Sequence, residues 1–278
     1  MNQNFLASLK HLLSDNRLMD KVRPKKKFGQ HFLTDLRVAE RLAAIVEKES
    51  VKEILEVGPG TGVLTQFLLK NNPKNLKVVE IDSESVAYLN QHFKVLMGHI
   101  IAADFLKLNL ENIFSGPFIL VGNYPYNIST QIVFKIIEHR DRIPFMAGMF
   151  QLEVAKRIVS NKDTKDYGIL SVLTQAFFEV TLEFIVEPGA FNPPPKVRSA
   201  VISCRLKAGK NLGCSESLFF QVVKTGFGQR RKMLSNALGR FNVPKELLLN
   251  NPFAKLRAEN LSVEDFVELT NFVEQNLK

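Results

Sequence analysis

Short apolar runs alternate with longer amphipathic segments between about residues 28 and 206 of this chain. The runs predicted as strands are residues 54–57, 76–81, 95–103, 118–121, 145–150, 181–186 and 199–206. The segments predicted as helices are residues 63–70, 83–93, 128–139 and 152–159. Strands that alternate with helices in this way are typical of a parallel, doubly wound sheet with helices on both faces. The pattern therefore predicts an α/β fold for this part of the chain.

The pattern changes near residues 207–211, where glycine and lysine replace the apolar runs. Beyond them only helical periodicity remains, with an apolar stripe on residues 218–227 and a capping box that begins at Ser262. Before residue 28 the chain is mixed in character and ends in the basic run Lys25 to Lys27. The segments that we predict are a basic N-terminal arm over residues 1–27, an α/β domain over residues 28–208 and a small all-helical C-terminal domain over residues 209–278.

Composition narrows the class of protein. Of the 278 residues, 45% are hydrophobic and 23% are charged, which excludes an intrinsically disordered chain. No apolar stretch approaches the ~20 residues that a helix needs to cross a bilayer. Two cysteines are too few for a disulfide framework, so we predict a protein of the cytoplasm. The net charge of +9 favours a polyanionic partner, although charge alone leaves nucleic acid and anionic membrane surfaces both open.

A glycine-rich turn follows the first of these strands. Gly58, Gly60 and Gly62 stand in the segment Gly-Pro-Gly-Thr-Gly, directly before a predicted helix. Glycine permits a tight turn and lets a ligand approach the backbone closely. Glu80 ends the next strand, and a carboxylate about 20 residues after such a turn accepts hydrogen bonds from ribose hydroxyls. The two features together predict a nucleoside cofactor.

The residues around this turn select among nucleoside cofactors. A phosphate-binding P-loop ends in Gly-Lys-Ser/Thr, whereas Gly62 is followed by Val63. A dinucleotide fingerprint needs its third glycine at that same position, so a pyrophosphate is disfavoured as well. A cofactor with ribose and adenine but without phosphates fits better, and S-adenosylmethionine is the common one. Asp104 is then placed to accept from the adenine amino group, with Phe105 packed on the ring; the alternative for Asp104 is a cap that starts the next turn.

The segment Asn123-Tyr124-Pro125-Tyr126 follows the fourth strand, where open α/β sheets bind their ligands. It matches the pattern Asn-x-Pro-Tyr/Phe of methyltransferases that act on exocyclic amines. The side-chain oxygen of Asn123 and the carbonyl of Tyr124 can accept from an adenine amino group and favour a more tetrahedral nitrogen. Pro125 biases Tyr124 toward an extended backbone, and the Tyr126 ring can stack on the base and stabilise positive charge at nitrogen. A plain strand-ending turn is the structural alternative.

With these motifs in place, the sequence resembles the ribosomal RNA adenine-N6 dimethyltransferase family, in particular its bacterial members that act on 16S rRNA of the small subunit. The resemblance covers nearly the whole chain from Lys27 onward. The segments that carry it are residues 28–33 (Phe-Gly-Gln-His-Phe-Leu), 56–62, 123–126, 151–157, 191–201 and 227–234. Two departures are small: Tyr124 stands where the family often has leucine, and Ala103 stands where glycine is common.

The resemblance implies a Rossmann-like class I S-adenosylmethionine-dependent methyltransferase domain, followed by a helical domain that binds RNA or the ribosome. It implies a cofactor site formed by His31, Leu33, Gly58, Gly60, Glu80, Asp104 and Asn123. It places Asn123 and Tyr126 against the target adenine, with Phe191 as a second aromatic wall. It further implies dimethylation of two adjacent adenines in the 3′-terminal hairpin loop of 16S rRNA, within an immature small subunit.

Basic clusters suit an RNA substrate. Lys25 to Lys27 and the cluster Lys224, Arg230, Arg231 and Lys232 are expected to contact phosphates, although charged runs are also typical of a plain solvated surface. The histidines show no metal-ligand spacing with the cysteines, so no metal site is predicted, and we expect a monomer. Two other functions stay open: an antibiotic-resistance methyltransferase that modifies a large-subunit adenine, and a ribosome-assembly factor whose catalysis has lapsed.

Overall fold

The computed structural model describes residues 22–71, 75–209 and 211–277. Residues 1–21, most of the predicted basic arm, and Lys210, at the predicted domain boundary, lie outside the described residues. The strands are β1 (Phe32–Leu33), β2 (Ile54–Val57), β3 (Leu76–Glu80), β4 (Ile100–Ala102), β5 (Ile119–Asn123), β6 (Phe145–Gln151), β7 (Phe178–Val186), β8 (Phe191–Asn192) and β9 (Ser199–Leu206).

Seven of these strands form one sheet in the order β4-β3-β2-β5-β6-β9-β7. β2 pairs in parallel with β3 and with β5, β3 pairs in parallel with β4, and β5 pairs in parallel with β6. Along the chain the order runs outward from β2 to β4 on one side and from β5 to β6 on the other. The order therefore reverses between β2 and β5, and such a switch point is where open α/β sheets bind ligands. The predicted parallel, doubly wound arrangement is confirmed for β2 to β6.

The helices are α1 (Leu36–Glu47), α2 (Thr65–Asn71), α3 (Ser83–His92), α4 (Ser129–Glu138), α5 (Leu152–Val159), α6 (Ile169–Phe177), α7 (Glu216–Gly228), α8 (Leu234–Ala237), α9 (Lys245–Asn250) and α10 (Val263–Asn276). Four helices match the predicted segments of the sheet region, α1 and α6 were not predicted there, and further helices follow beyond residue 208. Asp35, Asp82 and Ser262 cap α1, α3 and α10, because each side chain accepts a backbone N–H of the first turn. Within the described ranges, no helix is both long and apolar enough to cross a membrane.

Some predicted bounds differ from the observed ones because local turns intervene. Only Ile100–Ala102 of the predicted strand over residues 95–103 is extended. Lys94–Leu96 forms a 3-10 turn, and Gly98 has a φ of 79°, which ends any strand that precedes it. The two-stranded sheet of β1 and β8 was not predicted. Two residues per strand are too few for an alternating pattern to be visible.

The chain divides into two compact units. The first combines the described residues up to Leu152 with Leu182–Cys204, and its apolar core includes Leu42, Ile54 and Val78. The second combines Glu153–Thr181 with the described residues from Arg205 onward. It is mainly helical, and the rings of Phe227 on α7 and Phe266 on α10 lie 5.8 Å apart within it. The domain boundaries proposed after residues 27 and 208 stay predictions.

Candidate active site

A cavity of about 250 Å³ opens at the carboxyl ends of β2, β3 and β5, beside the point where the strand order reverses. The strands contribute Val57, Glu80 and Asn123 to its wall. The segment 28–32 lines another part of the cavity, and the remaining wall comes from residues 103–106 and 124–128 with Gly58, Gly60, Val79 and Ile81. This is the position of a ligand site in an open α/β sheet.

The glycine turn and Glu80 meet on one side of the cavity. Gly60 has a φ of 57°, and a Cβ added there would lie 2.8 Å from the ring of Phe32, so only glycine fits. The backbone N–H of Gly60 donates to Glu80 Oε2 at 3.1 Å, and the backbone N–H of Asp82 donates to Oε1 at 2.9 Å. Burial raises the pKa of Glu80, while these hydrogen bonds favour its charged form. The carboxyl group is thus fixed in place, with lone pairs left for the hydroxyls of a ligand.

Asp104 follows β4 and has two tasks. Its Oδ1 accepts the backbone N–H of Leu106 at 2.9 Å and so caps the 3-10 turn Phe105–Lys107. The alternative interpretation of Asp104 as a cap is therefore correct, and the same residue also lines the cavity. Phe105 lines the cavity beside it and is almost fully buried. The second carboxylate oxygen of Asp104 is left for a ligand.

Asn123 ends β5 with its amide already oriented. Its Nδ2 donates to the carbonyl oxygen of His31 at 2.8 Å, and no described residue donates to its Oδ1. The next side chain, Tyr124, is 1% exposed, and its hydroxyl donates to the carbonyl of Ala147 at 3.4 Å. Its ring fits only because residue 148 is glycine, since a Cβ on Gly148 would lie 2.1 Å from it. Packing in the core, not a ligand, therefore fixes the side chain of Tyr124.

Tyr126 is held by two neighbours. Its ring stacks on His31 with the centroids 5.4 Å apart and the planes at 29°. Its hydroxyl shares a hydrogen bond of 2.5 Å with Ser199 Oγ. His31 Nδ1 lies 2.8 Å from the carbonyl oxygen of Pro193, so the segment before β9 contacts His31 and the first residue of β9 contacts Tyr126. Burial raises the pKa of Tyr126, which keeps its hydroxyl neutral near pH 7.

Comparison with known proteins identifies the family of this chain. The chain matches the family model described as ribosomal RNA adenine dimethylase over residues 21–275. The chain belongs to the ribosomal RNA adenine dimethylase family. The ribosomal RNA small subunit methyltransferase A of Bacteroides thetaiotaomicron is 53% identical over 261 residues, which cover 94% of this chain and 97% of the relative. The protein of the same name from Cytophaga hutchinsonii is 47% identical over 256 residues, 92% of this chain and 99% of the relative.

Solved structures support the same fold. A dimethyladenosine transferase from Plasmodium falciparum superposes with a TM-score of 0.76 at 24% identity and covers 88% of this chain and 98% of its own. The 23S rRNA methyltransferase ErmE has a TM-score of 0.65 at 27% identity and covers 88% of this chain and 100% of its own. The predicted fold class, a Rossmann-like class I methyltransferase sheet with a helical C-terminal part, is confirmed. Membership in the dimethylase family also confirms the predicted enzyme class and S-adenosylmethionine as cofactor.

The cavity of this dimethylase-family chain fits S-adenosylmethionine chemically. The buried Glu80 carboxyl group, fixed by two backbone N–H donors, suits the paired hydroxyls of a ribose. Phe105 offers an apolar ring, and Asp104 offers a carboxylate oxygen, which together suit adenine and its amino group. Gly58 and Gly60 have positive φ and no side chains, so the backbone lies open to the ligand.

The predicted site residues differ in their placement. Seven of the nine line the cavity: His31, Gly58, Gly60, Glu80, Asp104, Asn123 and Tyr126. Leu33 lines a smaller neighbouring cavity that Gly58 and Asn123 also line. Phe191 lines neither of these two cavities, and its role as a second aromatic wall stays a prediction. Its pairing with Leu33 in the two-stranded sheet places it in the hydrophobic core, where it is 4% exposed.

Four residues that the sequence did not single out support the site. Asp82 donates to Glu80, and Gln30 donates to Asp82. Lys135 donates to the carbonyl of Leu106 in the cavity wall, and Ser199 shares a hydrogen bond with Tyr126. Asp82 has a local signal, because Asp-Ser at the start of a helix is typical of an N-cap. The other three act through partners that are distant along the chain. In the part of the chain that the structure describes, no group of three or more His, Cys, Asp or Glu side chains is arranged to bind a metal ion.

Two of the cations expected to contact phosphate are engaged within their own units. Lys25 pairs with Asp82. Arg230 donates from Nε to Glu259 at 2.7 Å and from its guanidinium Nη2 to the carbonyl of Lys165 at 2.8 Å. The other cations of the two predicted clusters are exposed: Lys26, Lys27, Lys224, Arg231 and Lys232. Phosphate contacts are therefore expected from these five and not from the two paired ones.

Proposed function

We propose that this protein transfers methyl groups from S-adenosylmethionine to N6 of two adjacent adenines in the 3′-terminal hairpin loop of 16S rRNA, two methyl groups to each adenine. The two relatives named ribosomal RNA small subunit methyltransferase A support the small subunit as substrate. The protein acts as a monomer on the immature small subunit in the cytoplasm. Loop adenines suit the reaction, because unpaired bases turn into a pocket at low energetic cost.

The proposed cofactor site is formed by His31, Leu33, Gly58, Gly60, Glu80, Asp104 and Asn123. Glu80 accepts the ribose hydroxyls, and Asp104 accepts the adenine amino group through the oxygen that does not cap the turn. Phe105 packs against the adenine ring. Bound there, S-adenosylmethionine supplies a methyl group activated on a sulfonium sulfur, which needs neither a metal ion nor a covalent enzyme intermediate.

The hydrogen bonding of Asn123 is the observation on which the proposed chemistry depends. Its Nδ2 is occupied by the carbonyl of His31, so Oδ1 is the atom left to accept an N6–H of the target adenine. The Tyr124 carbonyl accepts the second N6–H, and the two acceptors together draw the nitrogen lone pair out of conjugation with the ring. Tyr126 stacks on the base and stabilises the positive charge that develops at N6 as the new carbon–nitrogen bond forms. N6 then releases one proton to solvent.

Positioning and preorganised acceptors supply the catalysis in this scheme, and no general base is required. The hydrogen bonds that Gly60 donates to Glu80 and Asn123 donates to His31 form without a ligand, so the site needs little reorganisation when the substrates bind. The second transfer to the same adenine starts from N6 with one hydrogen left. Only one of the two acceptors is then used, while the stacking contact of Tyr126 is available in both rounds.

The direct test is methyl transfer from labelled S-adenosylmethionine to unmethylated small subunits, naked 16S rRNA and large subunits in parallel, followed by digestion to nucleosides. We expect N6,N6-dimethyladenosine from the small-subunit particle. Label confined to large subunits would indicate the antibiotic-resistance type of enzyme instead. Tight binding to small subunits without any transfer would indicate an assembly factor that has lost catalysis.

Replacement of Asn123 tests its assigned role. Asn123→Ala should bind small subunits nearly as well as the wild type, because the RNA contacts are elsewhere, but its rate of transfer should fall about 100-fold or more. Asn112→Ala, which removes an exposed amide outside the cavity wall, is the matched control and should keep full activity. Full activity of Asn123→Ala would refute the role that we assign to this residue.

A further inference from the structure

Lys25 stands just before the segment that lines one side of the cavity, and its surroundings differ from those of the next two lysines. Lys26 and Lys27 are exposed, whereas Lys25 is half-buried. The ammonium group of Lys25 contacts the carboxylate of Asp82 and lies 3.0 Å from Glu84 Oε1. One cation of the basic run is therefore used inside the protein, and two face solvent.

We propose that Lys25 is a positioning residue for the cofactor: together with Gln30 and Asp82, it fastens the segment 28–32 over the cofactor cavity. The inference rests on the proposed function, because it assigns Lys25 to the retention of S-adenosylmethionine instead of to contacts with RNA. The segment 28–32 is called the cover below.

The cover is anchored by a closed ring of three hydrogen bonds. The backbone N–H of Lys25 donates to Gln30 Oε1 at 2.8 Å, and Gln30 Nε2 donates to Asp82 Oδ2 at 3.4 Å. The ammonium group of Lys25 donates to Asp82 Oδ1 and completes the ring. Between the two anchoring residues the chain forms a 3-10 turn, in which the N–H of Phe28 donates to the carbonyl of Lys25 at 3.0 Å. Both ends of the turn are thus held by the same carboxylate.

Asp82 connects this anchor to the proposed ribose site. Its side chain is 1% exposed, and its Oδ1 also accepts the N–H of Glu84 as the N-cap of α3. Its own backbone N–H donates to Glu80 Oε1 at 2.9 Å. A single short turn therefore orients the carboxyl group expected to bind ribose and holds the cover in place.

The cover has direct access to the cavity. All five of its residues line the wall, and His31 within it stacks on Tyr126 and accepts from Asn123 through its carbonyl. If Lys25 is removed, the buried carboxylate of Asp82 loses its cationic partner, which is costly in a buried position. Opening of the turn, which lets water solvate the Asp82 carboxylate, then becomes more favourable than the closed turn. The expected consequence is faster loss of cofactor, with the acceptors on Asn123 and Tyr124 unchanged.

The test is the dissociation constant of S-adenosylmethionine, measured by titration calorimetry on the full chain without RNA. We expect Lys25→Met to weaken binding about tenfold and Lys25→Arg to restore most of it, because a charge-assisted hydrogen bond is lost and then regained. Gln30→Ala, which removes the uncharged link, should weaken binding less, by about threefold. Hydrogen exchange of the backbone amides of the cover should be faster in Lys25→Met than in the wild type.

Lys26→Met is the matched control, since it removes the same charge one position along the chain. Its affinity for S-adenosylmethionine should equal that of the wild type. If Lys25 contacts phosphate instead, Lys25→Met will leave cofactor affinity and amide exchange unchanged and will reduce the salt dependence of small-subunit binding by about one ion, which overturns the inference. Failure of the wild type to bind S-adenosylmethionine at all would refute the proposed function, and this inference with it.

Discussion

At the scale of single residues, the polar side chains of the candidate site are held by hydrogen bonds within the protein and keep some acceptor capacity for a ligand. Asn123 uses its amide nitrogen on the carbonyl of His31, and Asp104 uses one carboxylate oxygen on the N–H of Leu106. Glu80 accepts one backbone N–H on each oxygen. Each side chain is therefore oriented by the protein before a ligand binds. Asn123 and Asp104 each keep one oxygen free, and each oxygen of Glu80 keeps a lone pair.

The Tyr126–Ser199 hydrogen bond provides a prediction at this scale. Tyr126→Phe and Ser199→Ala each remove the same 2.5 Å contact, and either change frees the ring to leave the stacked position on His31. We expect each variant to lower the kcat of methyl transfer by about three- to tenfold and to leave the dissociation constant of S-adenosylmethionine unchanged. Steady-state kinetics on small subunits and calorimetric titration of the cofactor measure the two quantities.

The double variant decides between a shared role and two separate ones. If the hydroxyls act only through each other, the double variant loses no more activity than either single variant. Additive losses would show that Ser199 supports the fold independently of Tyr126. Ser203→Ala serves as the control. Ser203 lies four positions after Ser199 on β9, and its hydroxyl donates to Glu183 instead of to a site residue.

At the scale of elements, the part of the cavity wall that contains Asp104 is held by α4, none of whose residues line the cavity. Lys135 on α4 donates to the carbonyls of Leu106 at 3.0 Å and Leu108 at 2.7 Å, and its ammonium group lies 5.3 Å from the centroid of the Phe105 ring. Burial lowers the pKa of Lys135, although two nearby carboxylates oppose the shift. The helix that follows the Asn-Tyr-Pro-Tyr segment thus holds the turn that is expected to contact the adenine of the cofactor.

Removal of this link should weaken cofactor binding without affecting the chemistry. Lys135→Met keeps the aliphatic stem but leaves two carbonyls without their donor, so the turn loosens; we expect the dissociation constant of S-adenosylmethionine to rise about three- to tenfold at unchanged kcat. Lys107→Met is the matched control, because Lys107 is exposed on the same turn and should have no effect. Equal affinity in the wild type and Lys135→Met would contradict the assignment.

Elements whose signals are local could be predicted from the sequence. α5 and β9 have the predicted bounds, because amphipathic and apolar periodicity extends over eight residues in each. The pairing of β1 with β8 could not be predicted, because it joins residues about 160 positions apart through two residues on each side. That pairing also buries Phe191, and no local pattern indicates that this aromatic residue packs in the core.

At the scale of the whole molecule, the net charge of +9 predicts a polyanionic partner but not the residues that contact it. Lys25 and Arg230 are paired within the protein, whereas Arg231 and Lys232 beside the latter are exposed. The strand-end residues of the site were predictable, because parallel strands bring their carboxyl ends to one edge of the sheet. The contacts that orient these residues could not be predicted, because they join distant parts of the chain. Gln30 lies 52 positions from Asp82, and Asn123 lies 92 positions from His31.

The pH dependence of the free energy of unfolding tests the protonation state of Glu56, which is buried in the first unit. Glu56 is 1% exposed and accepts a hydrogen bond from the Thr65 hydroxyl at 2.7 Å. Burial raises the pKa of Glu56 from 4.5 to about 8, the nearby Glu80 adds to the rise, and the Thr65 hydrogen bond opposes it. The folded protein therefore holds a proton on Glu56 at pH 7, which the unfolded chain has released.

Because the folded pKa lies above the unfolded one, the stability from this proton is fully present below about pH 4.5 and is lost as the pH rises toward 8. The free energy of unfolding of the wild type should thus decline over this window relative to Glu56→Gln, by up to ~1.4 kcal/mol per pH unit. Glu56→Gln keeps an acceptor for Thr65 and cannot ionise. Urea denaturation of both proteins between pH 5.5 and 8.5 measures the difference, and a difference that does not change with pH would show that Glu56 is already ionised in the folded protein.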